Sequence, residues 1–128
     1  MNIRFCRALM IAAALGMLAM PSIASAKSME SLVQDGFKIS KLTRGKSGLA
    51  GWYLTKGDQK YFCPIRLALA YVDDKNMIGL TTQGAQITLD RATFDAHIGG
   101  PDPTIPYWKD VVVGKVKPAD VKPCAPSQ

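Results

Sequence analysis

The sequence is poor in the residues on which most catalytic and metal sites depend. Among 128 residues it has one histidine, His97, and one glutamate, Glu30. Zinc sites need several closely spaced Cys or His ligands, and glycoside hydrolysis needs a pair of placed carboxylates. We therefore expect no metal, no cofactor and a protein that is not an enzyme. A hydrolase built around His97 stays as an alternative.

Motifs for nucleotide binding and nucleophilic catalysis are missing as well. Gly45-Lys46-Ser47 resembles the end of a phosphate-binding loop, but that loop needs a glycine at position 40, which is Ser40. His97 and Asp95 stand two positions apart on a predicted helix, where their side chains do not face each other. Neither segment supports a catalytic assignment.

Long apolar runs are confined to the start of the chain. Arg4 and Arg7 precede an apolar run of 13 residues, 8–20, and small residues follow at 24–26. This order predicts a signal peptide, 1–26, cleaved after Ala26. A helix of that length, at about 1.5 Å per residue, cannot cross a hydrocarbon core of about 30 Å. We expect a periplasmic or secreted protein without a transmembrane anchor, whose single domain spans 27–128.

Cysteine is scarce, with three residues, and Cys6 belongs to the leader. The remaining two, Cys63 and Cys124, predict one disulfide in an oxidising compartment. A bond that closes a loop of about 60 residues stabilises by roughly 4 kcal/mol in the chain-entropy model. We expect it to hold a proline-spaced tail, extended from about residue 115, on the domain.

Apolar periodicity in the mature chain is typical of a small α+β domain. Ser28 and Asp90 are suited to begin helices at 28–35 and 90–97. Strands are predicted at 37–43, 49–56, 59–66, 67–72, 77–81, 85–89 and 107–113. We expect an antiparallel sheet of four to six strands with a helix at the start and a short helix late.

The clearest local signal is Gly57-Asp58 between two runs rich in aromatic and β-branched residues. The pair predicts a two-residue hairpin turn, which places Trp52 opposite Cys63 and Tyr53 opposite Phe62. One side of this hairpin then faces the core with Trp52, Leu54, Tyr61 and Cys63. A longer turn would shift the register by one residue and reverse the two sides.

Positive charge is concentrated early in the mature chain. Residues 27–60 hold seven bases and three acids, whereas residues 61–128 hold seven of each. The candidate binding residues are the bases around two turns and two neighbouring aromatics: Lys38, Lys41, Arg44, Lys46, Lys56, Lys60, Tyr53 and Phe62. They would suit lipopolysaccharide phosphates, anionic lipid heads or acidic protein surfaces. Alternatively, the lysines only discourage association between sheet edges. Nucleic acid is not expected, since no reading motif is present.

A second surface predicts a different way of binding. The loop 98–108 has three prolines and ends in Tyr107 and Trp108, which together could form a rigid apolar wedge. The protein would then be an inhibitor or accessory subunit of another periplasmic protein. Raised salt should weaken binding through the lysines and leave docking by the aromatics nearly unchanged.

The leader, the segment Gly36-Phe37-Lys38-Ile39 and the hairpin residues Tyr61-Phe62-Cys63 resemble the short exported proteins of proteobacteria that have no assigned function. This resemblance implies export and assigns no role to any residue. Size, leader and single disulfide are also similar to those of periplasmic lysozyme inhibitors. The positive charge departs from that pattern, because lysozymes are usually basic and like charges repel.

Overall fold

The structure, a computed structural model, describes residues 26–127. The predicted leader lies almost entirely outside these residues and stays a prediction. In chain order the elements are helix α1 (Met29–Gln34), strands β1 (Lys38–Ile39), β2 (Thr43–Arg44), β3 (Ala50–Lys56), β4 (Gln59–Pro64), β5 (Leu69–Tyr71), β6 (Asn76–Leu80) and β7 (Gln86–Asp90), helices α2 (Arg91–Ile98) and α3 (Trp108–Val112), a 3₁₀ turn (Pro118–Asp120) and strand β8 (Ala125–Pro126).

These strands form two antiparallel sheets. In the larger one, β3 pairs with β1, β2 and β4, and β8 pairs with β4. The smaller sheet has the order β5-β6-β7. The expected α+β class, with an early helix, a short late helix and one disulfide, is confirmed. The strands divide into two sheets because β4 ends at Pro64, after which the backbone N–H of Arg66 donates to Asp120 in the tail.

The β3–β4 hairpin has the predicted register. Gly57, with φ of 57°, occupies the left-handed conformation that a two-residue turn requires at its first position. Trp52 pairs with Cys63 and Tyr53 with Phe62. Side chains alternate along each strand, so Trp52 and Cys63 face the core while Tyr53 and Phe62 lie half-buried on the opposite side.

The core is centred on Trp52 and the disulfide. Cys63 and Cys124 are bonded to each other and fully buried. The indole Nε1 of Trp52 donates to the carbonyl oxygen of Val111 at 2.9 Å, which ties helix α3 to the sheet. Helix α1 closes the core with Leu32, also fully buried, and Ser28 caps it by accepting from the backbone N–H of Ser31.

The predicted strand at 107–113 is wrong, because Trp108–Val112 is helix α3. Trp108 and Val111, three positions apart, both turn toward the core, and this spacing is helical. A run of three valines favoured the strand in the sequence. The burial of Val111 and the hydrogen bond from Trp52 to its carbonyl oxygen favour the helix instead.

Two further segments are shorter or more broken than predicted. The strand expected at 37–43 divides into β1 and β2, which both pair with β3. Between them the backbone N–H of Leu42 donates to Val112, so this stretch leaves the ladder to contact α3. The tail is extended except at the 3₁₀ turn Pro118–Asp120.

Candidate functional site

The larger sheet carries a row of side chains on the side away from the core. Lys38 pairs with Thr55, and Thr55 pairs with Lys60, across β1, β3 and β4. Neighbouring strands lie about 4.8 Å apart, so the Cα atoms of Lys38 and Lys60 are about 10 Å apart. We call this side, with Lys38, Tyr53, Thr55, Lys60 and Phe62, the outer face.

An aromatic pair forms the floor of the outer face. The rings of Tyr53 and Phe62 meet edge to face with centroids 5.0 Å apart. The ammonium of Lys60 lies 4.4 Å from the centroid of the Tyr53 ring, within the range of a cation–π contact. This contact holds the positive charge above the ring instead of leaving it free in solvent.

Close packing fixes the Phe62 ring in place. A Cβ atom on Gly51 would collide with the carbonyl oxygen of Cys63 and come within 2.8 Å of the Phe62 ring. A Cβ on Gly45 would lie 2.7 Å from the same ring. Only glycine fits at these two positions, and the backbone therefore packs directly against the ring.

The remaining predicted bases are dispersed. The ammonium of Lys56 donates to the backbone oxygen of Asp35 at 2.6 Å, at the end of helix α1. Arg44 donates through Nε to the backbone oxygen of Gln83 at 3.2 Å. The exposed Lys41 and Lys46 lie in the loops before β2 and β3. Of the six predicted bases, the structure places Lys38 and Lys60 together with Tyr53 and Phe62.

The alternative docking surface presents one aromatic side chain instead of two. Trp108 begins helix α3 and packs against the core. Tyr107 is 41% exposed, with its ring 5.9 Å from that of Tyr71. The loop 98–108 can therefore offer Tyr107 to a partner, while Trp108 serves the packing of α3.

Asp95, the carboxylate nearest in sequence to His97, takes part in a structural network. Its Oδ1 accepts from the Tyr71 hydroxyl at 3.0 Å, and its Oδ2 pairs with Arg91 at 3.3 Å. The Tyr71 hydroxyl in turn accepts from the backbone N–H of Asp102 at 3.0 Å. His97 is exposed, and within residues 26–127 no hydrogen bond joins it to a nucleophile or a carboxylate.

Sequence reasoning missed a cleft of about 980 Å³ between helix α1 and the C-terminal tail. We call it the tail cleft. Its apolar lining includes Met29, Val33, Ile39, Val116 and Val121. Its charged lining consists of the bases Lys27, Arg66, Lys115, Lys117 and Lys122 and the acids Glu30 and Asp120. The alternation of lysine and valine at 115–117 was the sequence signal for this surface. These residues line a cleft only because the tail folds against helix α1.

No family model, curated protein or solved structure matches this chain. Across the described part of the chain, no cluster of three or more His, Cys, Asp or Glu residues could hold a metal ion. None of the helices described there has the length and apolar character needed to span a bilayer.

Proposed function

We propose that this chain is a small, non-enzymatic binding protein of the bacterial periplasm. Its outer face holds an anionic component of the envelope, of which phosphate-bearing lipid head groups are the class we test. The observation that carries the proposal is the Lys60 ammonium held above the Tyr53 ring, with Lys38 two strands away on the same side.

The charge of the larger sheet supports an anionic partner. None of its five strands contains an aspartate or a glutamate. The potential of Lys38 and Lys60 is therefore not cancelled by a carboxylate within the sheet. The two ammonium groups, on strands β1 and β4 with β3 between them, can contact one phosphate-bearing surface together, since phosphate accepts charge-assisted hydrogen bonds.

Rigidity of the aromatic floor also supports binding. A flexible lysine loses conformational entropy when a ligand immobilises it, and this loss weakens binding. Lys60 is already held above Tyr53, which itself packs on Phe62. A ligand that replaces this contact meets a charge positioned in advance, beside an apolar surface for its uncharged part.

The test measures sedimentation of the purified protein with phosphatidylcholine vesicles that contain or lack phosphatidylglycerol. We expect binding only to the anionic vesicles. Each lysine near an anionic membrane adds about 1 kcal/mol, so Lys38→Gln with Lys60→Gln should weaken binding about tenfold or more. The matched control is Lys75→Gln with Lys109→Gln, two exposed lysines outside the larger sheet. Equal losses in both double variants would contradict the proposal.

The inhibitor or accessory-subunit alternative rests on exposed Tyr107. Binding through the outer face should fall steeply as salt rises to physiological strength, where charges more than about 8 Å apart are screened. Binding to an envelope protein that resists salt and is lost in Tyr107→Ala would favour the alternative and overturn the outer-face proposal.

A further inference from the structure

The tail cleft has the features of a ligand site that is separate from the outer face. Its volume of about 980 Å³ lies at the upper end of the range common for small-molecule pockets. None of the lining residues within 26–127 is aromatic. Flat ligands such as nucleobases are held by stacking on aromatic rings, and the cleft has none to offer. Its aliphatic and proline lining suits a flexible hydrocarbon chain.

The apolar wall of the cleft includes a valine that is partly exposed to solvent. Val33 on helix α1 is 43% exposed and lines the cleft, next to the fully buried Leu32. Val116 and Val121 line the cleft from the tail, and Ile39 lines it from β1. Helix α1, strand β1 and the distant C-terminal tail therefore all offer aliphatic side chains to one cavity.

The charged lining indicates the sign of the ligand's head group. Five bases and two acids line the cleft, which leaves an excess of positive charge. One of the acids, Asp120, has a buried Oδ2 with no hydrogen-bond partner among the described residues, so the head group is expected beside the lysines of the lining and away from Asp120. Cleavage after Ala26, which the sequence predicts, would add the α-ammonium of Lys27 to the same lining. A ligand with an anionic head satisfies this distribution.

The disulfide and backbone hydrogen bonds fix the C-terminal tail, which forms one wall of the cleft. Cys124, bonded to Cys63, exchanges two backbone hydrogen bonds with Lys27, at 2.7 and 3.0 Å. The backbone N–H of Lys122 donates to Pro64 at 2.9 Å. The wall is in place before a ligand arrives, so less ordering opposes binding.

We propose that the tail cleft binds a single-chain anionic amphiphile, a free long-chain fatty acid. The acyl chain lies between helix α1 and the tail, and the carboxylate lies among the bases of the lining. This site does not depend on the outer face and would stand if the outer-face proposal failed.

The first experiment uses the unmutated, oxidised exported protein and the fluorescent fatty acid cis-parinaric acid. We expect its fluorescence to rise on binding and hexadecanoate to displace it. Each methylene buried should raise the competitor's affinity by up to about fourfold, so dodecanoate should compete far less well. Hexadecanol, which lacks the charge, should compete about tenfold less well. Equal competition by the acid and the alcohol, or no binding, would overturn the proposal.

The second experiment places a charge in the apolar wall. Val33→Glu should weaken hexadecanoate binding about tenfold or more, since a carboxylate there opposes both the chain and the head group. Val72→Glu is the matched control, because Val72 is 42% exposed and lies outside the cleft. Melting temperatures show whether both variants fold. If either does not, Val33→Gln and Val72→Gln replace them, and equal affinities in the pair would contradict the proposal.

The third experiment separates the two sites. Lys115→Gln with Lys122→Gln should weaken fatty-acid binding about fivefold, and Lys38→Gln with Lys60→Gln should leave it unchanged. The opposite result would place the fatty acid on the outer face and remove the tail cleft as a site. Vesicle binding is measured with the same two double variants. Only Lys38→Gln with Lys60→Gln should weaken it, because vesicle binding tests the outer face.

Discussion

The two sheets differ in how they are stabilised. In the larger sheet, the core-facing residues Trp52, Leu54 and Cys63 are 0% exposed. In the smaller sheet, β7 is exposed except at Leu89, helix α2 has no buried residue, and Ile87 is 57% exposed. The larger sheet is therefore stabilised by apolar burial and a disulfide. The smaller sheet buries Ala70, Tyr71 and Met77 on β5 and β6, whereas its edge strand β7 and helix α2 depend more on polar contacts.

Polar contacts of the smaller sheet centre on Tyr71. Its hydroxyl links Asp95 on α2 with Asp102 in the loop 98–108, and the Arg91 guanidinium lies 3.9 Å from its ring centroid. Hydrogen bonds are directional and depend on charge state, whereas apolar burial depends on neither. This difference predicts separate responses of the two regions to mutation and to acid.

Removing the disulfide should have the largest effect. Cys63→Ala with Cys124→Ala frees a loop with a sequence separation of 61 residues, and the expected loss is about 4 kcal/mol of unfolding free energy. Stability of a small domain is about 5–15 kcal/mol, so little would remain. Urea unfolding of the oxidised, reduced and double-alanine proteins measures this loss. A change below about 1 kcal/mol would show that the tail is held without the bond.

Trp52→Phe should rank second, at about 2–3 kcal/mol. The variant loses the hydrogen bond from the indole Nε1 to Val111 and leaves space in a fully buried position. Thermal unfolding followed by circular dichroism gives the change. If Trp52→Phe cost no more than Tyr53→Phe on the half-buried outer face, the assignment of the core to Trp52 would be wrong.

Tyr71→Phe should cost about 1–2 kcal/mol, because it leaves two polar groups without their partner and removes little volume. Those groups are Oδ1 of Asp95, whose Oδ2 keeps its pairing with Arg91, and the backbone N–H of Asp102. Hydrogen exchange should increase in the loop 98–108 and not in β3 or β4. Tyr53→Phe, on the outer face of the larger sheet, serves as the control and should change stability by less than about 0.5 kcal/mol.

Acid below about pH 3.8 should loosen the smaller sheet first, with the smallest effect of the four predictions. Hydrogen bonds lower the pKa of three aspartates below the ordinary 3.8: Asp73 through backbone N–H groups after it, and Asp90 and Asp102 through the hydroxyl and N–H of a following threonine. All three lie at residues 69–105. The described strands of the larger sheet contain no aspartate or glutamate, so none of their side chains loses a negative charge in acid.

The direction of the acid effect follows from these pKa values. A carboxylate whose folded pKa is lowered stabilises the protein fully above the ordinary 3.8, and this contribution is lost as the pH falls through and below 3.8. Hydrogen exchange measured at successively lower pH, corrected for intrinsic rates, should show earlier loss of protection near Asp73, Asp90 and Asp102 than in β3 and β4. Simultaneous loss in both sheets would contradict the proposed difference.

Sequence patterns predicted the features that neighbouring residues decide. Gly57-Asp58 predicted the hairpin register, since a two-residue turn leaves one pairing of the strands on either side. Ser28 and Asp90 predicted the starts of α1 and α2, where each accepts from a backbone N–H three residues on. The disulfide followed from the count of two cysteines in the mature chain.

The candidate sites were less predictable, because side chains on one surface can have different neighbours. Lys56 and Lys60 lie four positions apart, yet Lys56 reaches Asp35 beside α1 and Lys60 reaches the Tyr53 ring. Sequence spacing alone does not show which of two nearby lysines has a backbone acceptor within reach. Of the six bases that the sequence suggested as one cluster, only Lys38 and Lys60 therefore share the outer face.

The sequence by itself determined the α+β class, the hairpin register, the helix caps and the disulfide, because each depends on a turn, a cap or a residue count. Only the tertiary structure decided that 108–112 is helical, which lysines share a face, and that α1 and the tail enclose a cleft. Those outcomes depend on contacts between distant segments, such as Trp52 with Val111 and Lys27 with Cys124. The spacing of neighbouring residues does not specify which distant segments come into contact in the folded chain.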